Sequence, residues 1–187
     1  MTKIILASAS PRRKELLSLL KISFEVCKSD VEEIMDQTMH PAELVMKLAE
    51  QKATDVYSKY TNSVVIGADT IVTLGGQKLG KPTSEDDAFK MLSLLSGNTH
   101  EVYTGVSIQS RGTITNFNVC TKVTFYQLTD EEIHAYIQTG EPMDKAGSYG
   151  IQGFGAIFVK EIEGDYYSVV GLPISQLARQ LRKLNII

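Results

Sequence analysis

Ser63-Val64-Val65-Ile66-Gly67-Ala68-Asp69-Thr70-Ile71-Val72-Thr73-Leu74 is the stretch on which the fold turns. Val64, Val65, Ile66, Ile71 and Val72 are apolar on both faces of an extended chain, which predicts a strand covered by helices on either side. Gly67 and Ala68 thin the run just before a carboxylate, Asp69. Burying a carboxylate without partners is expensive, so Asp69 needs a cation, a metal or a hydrogen-bond network. Two roles stay open for it. It is a general base or metal ligand aimed into a cleft, or a structural group held by backbone N–H groups at a bend.

Downstream, Gly75-Gly76 reads as a hairpin turn into Gln77–Leu79. Gly80-Lys81-Pro82 then sets a lysine in a tight loop, either an exposed turn residue or a partner of the Asp69 region. Ser84 caps a helix running through Leu95, which Gly97-Asn98 ends. Glu101–Gln109 and Ile114–Gln127 are rich in Val, Thr, Tyr and Phe and predict a long hairpin. Thr129-Asp130-Glu131-Glu132 resembles a capping box at the start of a helix to Gln138. Ala156–Ile162 and Tyr166–Val170 read as a further strand pair, and Pro173–Leu184 as the closing helix.

Upstream lies a long helix, Pro41–Tyr60. Lys52 shares its inner stripe with Leu48, Ala49 and Val56, so it either snorkels out past the core or reaches an anion in a cleft. Asp30–Met39 is an acidic loop in which Glu32 and Glu33 are solvated charges or carry a cation ligand. Ser23–Cys27 and Lys3–Ala7 read as strands, with a helix Pro11–Leu20 between them. The order mixes strands and helices throughout, and the long hairpins argue against a purely parallel sheet. The expectation is one α/β domain over residues 1–187 with a mixed sheet.

Ser8-Ala9-Ser10-Pro11-Arg12-Arg13 joins the first strand to its helix. Pro11 suits the first helical position, and Ser10 can cap the N–H groups behind it. Arg12, Arg13 and Lys14 then crowd the positive end of the helix dipole, where cations are disfavoured. A phosphate chain is the natural anion to balance them. A second candidate is Asp144-Lys145-Ala146-Gly147-Ser148-Tyr149-Gly150-Ile151-Gln152-Gly153. Its glycines allow close approach to a ligand or simply turn the chain. Gln152 offers both a donor and an acceptor, which suits the edge of a base.

Bulk properties narrow the field. A net charge of −3 over 187 residues excludes a global basic field for long nucleic acid, so any anion site is local. No apolar run approaches the ~18 residues of a membrane span, and the N-terminus lacks a signal-peptide pattern. Cys27 and Cys120 show no metal spacing and read as buried strand residues of a reduced, cytoplasmic protein. GxxxxGK[ST], GxGxxG, HExxH and GxSxG are all absent from the sequence. Together the parts are the equipment for a nucleoside triphosphate with a divalent cation.

The residues resemble the Maf nucleotide pyrophosphatases. The match runs in order through Leu6–Arg13, Val31-Glu32-Glu33, Gly67-Ala68-Asp69-Thr70, Gly80-Lys81-Pro82, Ser96-Gly97, Thr104-Gly105-Val106, Asp144–Gly153 and Val170-Gly171-Leu172-Pro173. The resemblance implies an elongated mixed sheet with flanking helices, in two lobes around a cleft, similar to the inosine triphosphate pyrophosphatases. It implies a homodimer and hydrolysis of nucleoside triphosphates to monophosphate and pyrophosphate with Mg²⁺ or Mn²⁺. Asp69 resembles the family's proton acceptor, and Ser8, Arg13, Glu33, Lys52 and Lys81 its polar site positions. Arg12, Thr70 and Gln152 match positions tied to substrate choice and look like the subfamily acting on dTTP, UTP and modified pyrimidine nucleotides. Glu33 and Asp69 are the expected metal ligands. The loop often written Asp-Glu reads Glu32-Glu33 here, which leaves open which of the two meets the metal. The family's link to septum formation leaves a rival: a non-catalytic nucleotide sensor that regulates cell division.

Overall fold

A computed structural model describes residues 3–187. Its centre is a mixed sheet of β1 (Ile4–Ala7), β2 (Glu25–Val26), β3 (Val64–Leu74), β4 (Gln77–Leu79), β5 (Thr99–Ser110), β6 (Thr113–Phe125) and β7 (Val159–Glu163). The spatial order is β2-β1-β3-β5-β6-β7, with β4 also against β3. β1 runs parallel to β2 and β3, and the remaining pairings are antiparallel. The helices are α1 (Pro11–Ser18), α2 (Pro41–Lys59), α3 (Glu85–Leu95), α4 (Asp130–Ile137), α5 (Tyr166–Val170) and α6 (Ile174–Lys183).

Side chains alternate across a strand, and that alternation sorts the two faces. Val65 and Ile71 of β3 pack with Leu44, Val45, Leu48, Ala53 and Val56 of α2. Val64, Ile66, Ala68 and Val72 turn the other way, into the larger core that α1, α3, α4 and α6 share. Gly67 and Gly105 let α2 lie directly on the sheet. A Cβ on Gly67 would sit 2.9 Å from the Ala53 nitrogen, and one on Gly105 would overlap the Val45 backbone.

The most consequential feature is a gap in the sheet. On one edge of β3, residues Val64–Gly67 pair with β1 and Val72–Leu74 pair with β4. Ala68–Ile71 have no partner there among the described residues, although their other edge is paired to β5. Asp69 and Thr70 lie in that gap. It opens beyond the carboxyl end of β1, the place where ligands settle in α/β sheets.

Three expectations need correction. Tyr166–Val170 is the helix α5 rather than a strand, and β7 pairs with β6 instead. The Asp165 side chain accepts the Tyr167 N–H and caps a helix there, overriding the β-type residues that follow. Ala156 to Phe158 belongs to a 3₁₀ turn, Phe154–Phe158. The cysteines are not core residues. Cys27 follows a two-residue β2 and is half-buried, and Cys120 is exposed, with its β6 neighbours Val119 and Thr121 at other levels of burial.

Candidate active site

A cavity of about 800 Å³ opens over the gap in β3. That volume lies within the range of small-molecule sites. Ser8, Arg12, Arg13, Glu33, Lys52, Asp69, Thr70, Lys81 and Gln152 all line it. Nine site residues expected from the sequence are thus gathered at one place. Glu33 lines the cavity and Glu32 does not, and Lys14 is exposed and outside it.

Asp69 shares the odd-numbered face of β3 with Val65 and Ile71, the face under α2, so it meets Lys52. The Lys52 Nζ donates to Asp69 Oδ1 at 2.5 Å and lies 2.7 Å from Glu33 Oε1. One ammonium thus bridges two carboxylates, and Lys52 reaches inward rather than snorkelling. Burial pushes the Asp69 carboxyl above its ordinary value, opposed by the nearby Lys52 and Arg13 charges. Burial acts the same way on Glu33, but its hydrogen bond to Lys52 and the charges of Lys52, Lys81 and Arg13 outweigh it and hold Glu33 below the usual range. The two carboxyls are therefore pushed apart, the pattern that distinguishes a proton acceptor from a permanent anion.

Thr70, the next residue, points to the opposite face. Its hydroxyl accepts from Arg13 Nη2 at 3.2 Å and lies 2.8 Å from the Thr104 hydroxyl, which donates to the Ser168 carbonyl at 2.7 Å. Arginine only donates and a carbonyl only accepts, so the chain runs one way from Arg13 to Ser168. Arg13 Nε also donates to the Gly171 carbonyl at 2.9 Å. The guanidinium is thereby fixed as a wall of the cavity. Ser10 caps α1 by accepting the Arg13 N–H, and Ser8 Oγ accepts the Ser10 N–H at 3.1 Å. Two N–H groups of the turn are thus satisfied internally, which leaves the side chains as its main anion-facing groups.

Across the cavity lie the 3₁₀ turns Glu141–Asp144 and Ala146–Ser148 and the segment after them. Gln152 is exposed at this wall. Arg12 Nη1 meets Asp144 Oδ2 at 3.2 Å, and Lys145 Nζ meets Asp144 Oδ1 at 2.7 Å. Among the described residues there is no group of three or more His, Cys, Asp or Glu that could hold a metal alone. Sequence reading missed Glu141 and gave no individual role to Asp144, or to Thr104, whose hydroxyl supports Thr70 behind the cavity wall. Thr104 and Asp144 stand inside the matched motifs, but their partners are distant in the chain.

A family model described as Maf-like protein matches residues 3–184. The chain belongs to that family. A dTTP/UTP pyrophosphatase of Bacillus cereus (strain AH187) is 58% identical over 186 residues, covering 100% of this chain and 97% of that one. A dTTP/UTP pyrophosphatase of Bacillus thuringiensis subsp. konkukian (strain 97-27) is 57% identical with the same coverage. Among solved structures, the Ham1 protein of Staphylococcus aureus aligns with a TM-score of 0.48 at 18% identity, over 66% of this chain and 72% of that one. No helix among the described residues of this Maf-family chain is long and apolar enough to cross a membrane.

Proposed function

We propose that the protein hydrolyses pyrimidine nucleoside triphosphates, dTTP and UTP foremost, to the monophosphate and pyrophosphate. The observation that carries this reading is the buried Asp69, bridged by Lys52 to Glu33 at the floor of a cavity walled by Arg13 and Lys81. The names of the full-length relatives support the choice of substrate. A non-catalytic sensor would need the phosphate-facing cations but not a carboxylate whose pKa is pushed up beside them.

In this reading the phosphates lie among Arg13, Lys52 and Lys81, and the base points toward Gln152. Asp69 takes a proton from a water that attacks the α-phosphorus. The new P–O bond forms as the bond from the α-phosphorus to the bridging oxygen breaks, and pyrophosphate leaves with its charge offset by the basic groups. Lys52 keeps Asp69 ionised and turned toward the cavity. Glu33 and Asp69 form an oxygen-only pair that suits Mg²⁺ or Mn²⁺, which typically takes one or two carboxylates plus substrate phosphates. When bound, such a cation would neutralise phosphate charge. The chain acts as one domain, its two lobes facing each other across the cavity, in the cytoplasm and as a homodimer.

The test is direct. Purified protein with Mg²⁺ and a panel of dTTP, UTP, CTP, ATP and GTP should release pyrophosphate fastest from dTTP and UTP. Release of orthophosphate, or stoichiometric binding without turnover, would overturn the proposal.

A further inference from the structure

Residues 150–155, which carry Gln152, lie outside every strand and α-helix, and one carboxylate ties them down. Glu141 Oε2 accepts the Phe154 N–H at 2.8 Å. Glu141 Oε1 accepts the Tyr136 hydroxyl at 2.9 Å and the Gly155 N–H at 3.4 Å. The Tyr136 oxygen in turn accepts the Gly150 N–H at 3.0 Å. Both ends of the segment are therefore anchored to a single side chain, directly at Phe154 and Gly155 and through Tyr136 at Gly150. The Glu141 carbonyl also accepts from Lys145 Nζ at 2.6 Å, which ties the preceding turn to the same point.

The glycines fit this anchor. A Cβ on Gly153 would overlap the Glu141 carboxylate. One on Gly150 would lie 2.6 Å from Lys145 Cε and 2.9 Å from Glu141 Oε1. One on Gly155 would lie 2.9 Å from the Gly150 carbonyl oxygen and 3.0 Å from the Tyr136 hydroxyl. The missing side chains make room for Glu141, Lys145 and Tyr136, on the protein side of the loop, rather than for a ligand.

The geometry points to Glu141 as a positioning residue for substrate choice, acting by fixing the segment that presents Gln152 to the base. This rests on the pyrophosphatase reading above. Hydrogen bonds to a charged acceptor are strong, and two amide N–H groups and a hydroxyl converge on this one. Among the described residues no other carboxylate holds the loop, and without Glu141 Gln152 samples many positions.

The experiment compares the parent chain with Glu141→Ala and Glu141→Gln on the triphosphate panel, with inorganic tripolyphosphate as an inhibitor that has no base. For Glu141→Ala, KM for dTTP should rise about tenfold, the worth of one charge-assisted hydrogen bond, with a smaller change in kcat. The preference for dTTP over GTP should shrink, while inhibition by tripolyphosphate stays at the parent value. Glu141→Gln keeps one acceptor oxygen and should fall between the two. If the alanine variant does not fold, the glutamine variant carries the test, and faster amide hydrogen exchange at Phe154 and Gly155 should accompany its altered base ranking. An unchanged ranking, unchanged exchange, or tripolyphosphate inhibition weakened as much as dTTP binding would overturn the inference. A parent chain that releases no pyrophosphate sinks the pyrophosphatase reading and this role with it. A working parent with an indifferent Glu141 variant sinks this role alone.

Discussion

Asp69 and Gln152 face the same cavity but are held there by different means. Asp69 sits mid-strand in β3, opposite Gly105 of β5, with α2 lying on the strand at Gly67 two residues before it. Its position follows from ladder pairing and from helix-on-sheet packing, and its charge is matched by Lys52 from the covering helix. Gln152 sits in a segment whose backbone is fixed by side chains, chiefly Glu141 and Tyr136. The reacting end is built into regular structure, and the opposite end is tied on by hydrogen bonds. Changes at the first should damage chemistry or the whole fold, and changes at the second should alter which ligand is chosen.

The largest effect expected is at Asp69. Asp69→Asn removes the proposed proton acceptor and should lower kcat by ~10²–10⁴-fold. Its cost to stability should be small, because Glu33 still pairs with Lys52 at 2.7 Å and no buried charge is left alone. Lys52→Met should cost stability as well as kcat, since it strips both carboxylates of their cation. Thermal melting beside steady-state kinetics separates the two variants. The parent's activity should also fall on acidification at a pH above the ordinary carboxylate value of 3.8, because burial raises Asp69 and the base must be ionised to act.

The same division explains what could be read from the residues alone. Lys52 was legible because α2 repeats every 3.6 residues and Leu48, Ala49 and Val56 mark its buried stripe. Asp69 was legible because an acidic residue interrupts an apolar strand. Glu141 was not, because its partners at 136, 154 and 155 follow no period, and nothing local says that Gly150 and Gly153 make room for a carboxylate. Tyr166–Val170 misled for a related reason: a run with four β-type residues was turned into a helix by one cap at Asp165. The hydroxyl chain from Thr70 through Thr104 to Ser168 joins three distant segments and leaves no spacing to read.

The loop end is also tied to the core through a buried histidine. His100, at the start of β5, is buried, with Nε2 2.8 Å from the Tyr149 hydroxyl and the ring packed edge-on against Phe125. Burial lowers its pKa from 6.5 to about 4. The unfolded chain therefore takes up a proton below pH 6.5 that the folded chain refuses until about pH 4. Stability from this residue is complete above 6.5 and is lost as the pH falls, by about 3 kcal/mol in all. Denaturant midpoints at pH 7 and pH 4 should differ less in His100→Gln than in the parent. An equal pH dependence would show that the imidazole is not the titrating group.

A smaller effect is expected where α2 touches the sheet. Gly67→Ala puts a Cβ against the Ala53 nitrogen, 2.9 Å away, and against the Ala49 carbonyl, so the helix must lift. Overpacking of this kind costs ~1–3 kcal/mol. Lifting α2 also moves Lys52 off Asp69, so kcat should fall together with the urea midpoint. A loss of stability with full activity would mean that the strand carries the site without its helix.

The smallest effect should come from Asp144, which joins Arg12 on one side of the cavity to Lys145 on the other. Asp144 is 62% exposed and Arg12 27%, so water and salt screen the pair. Exposed ion pairs contribute about 0.2–1 kcal/mol, and Asp144→Ala should cost no more than that. Added salt should shrink the difference from the parent, because screening removes from the parent what the substitution removes from the variant. Urea titrations at low and high salt measure both. A loss of several kcal/mol that salt does not touch would mean that Asp144 holds the loop wall by more than a screened ion pair.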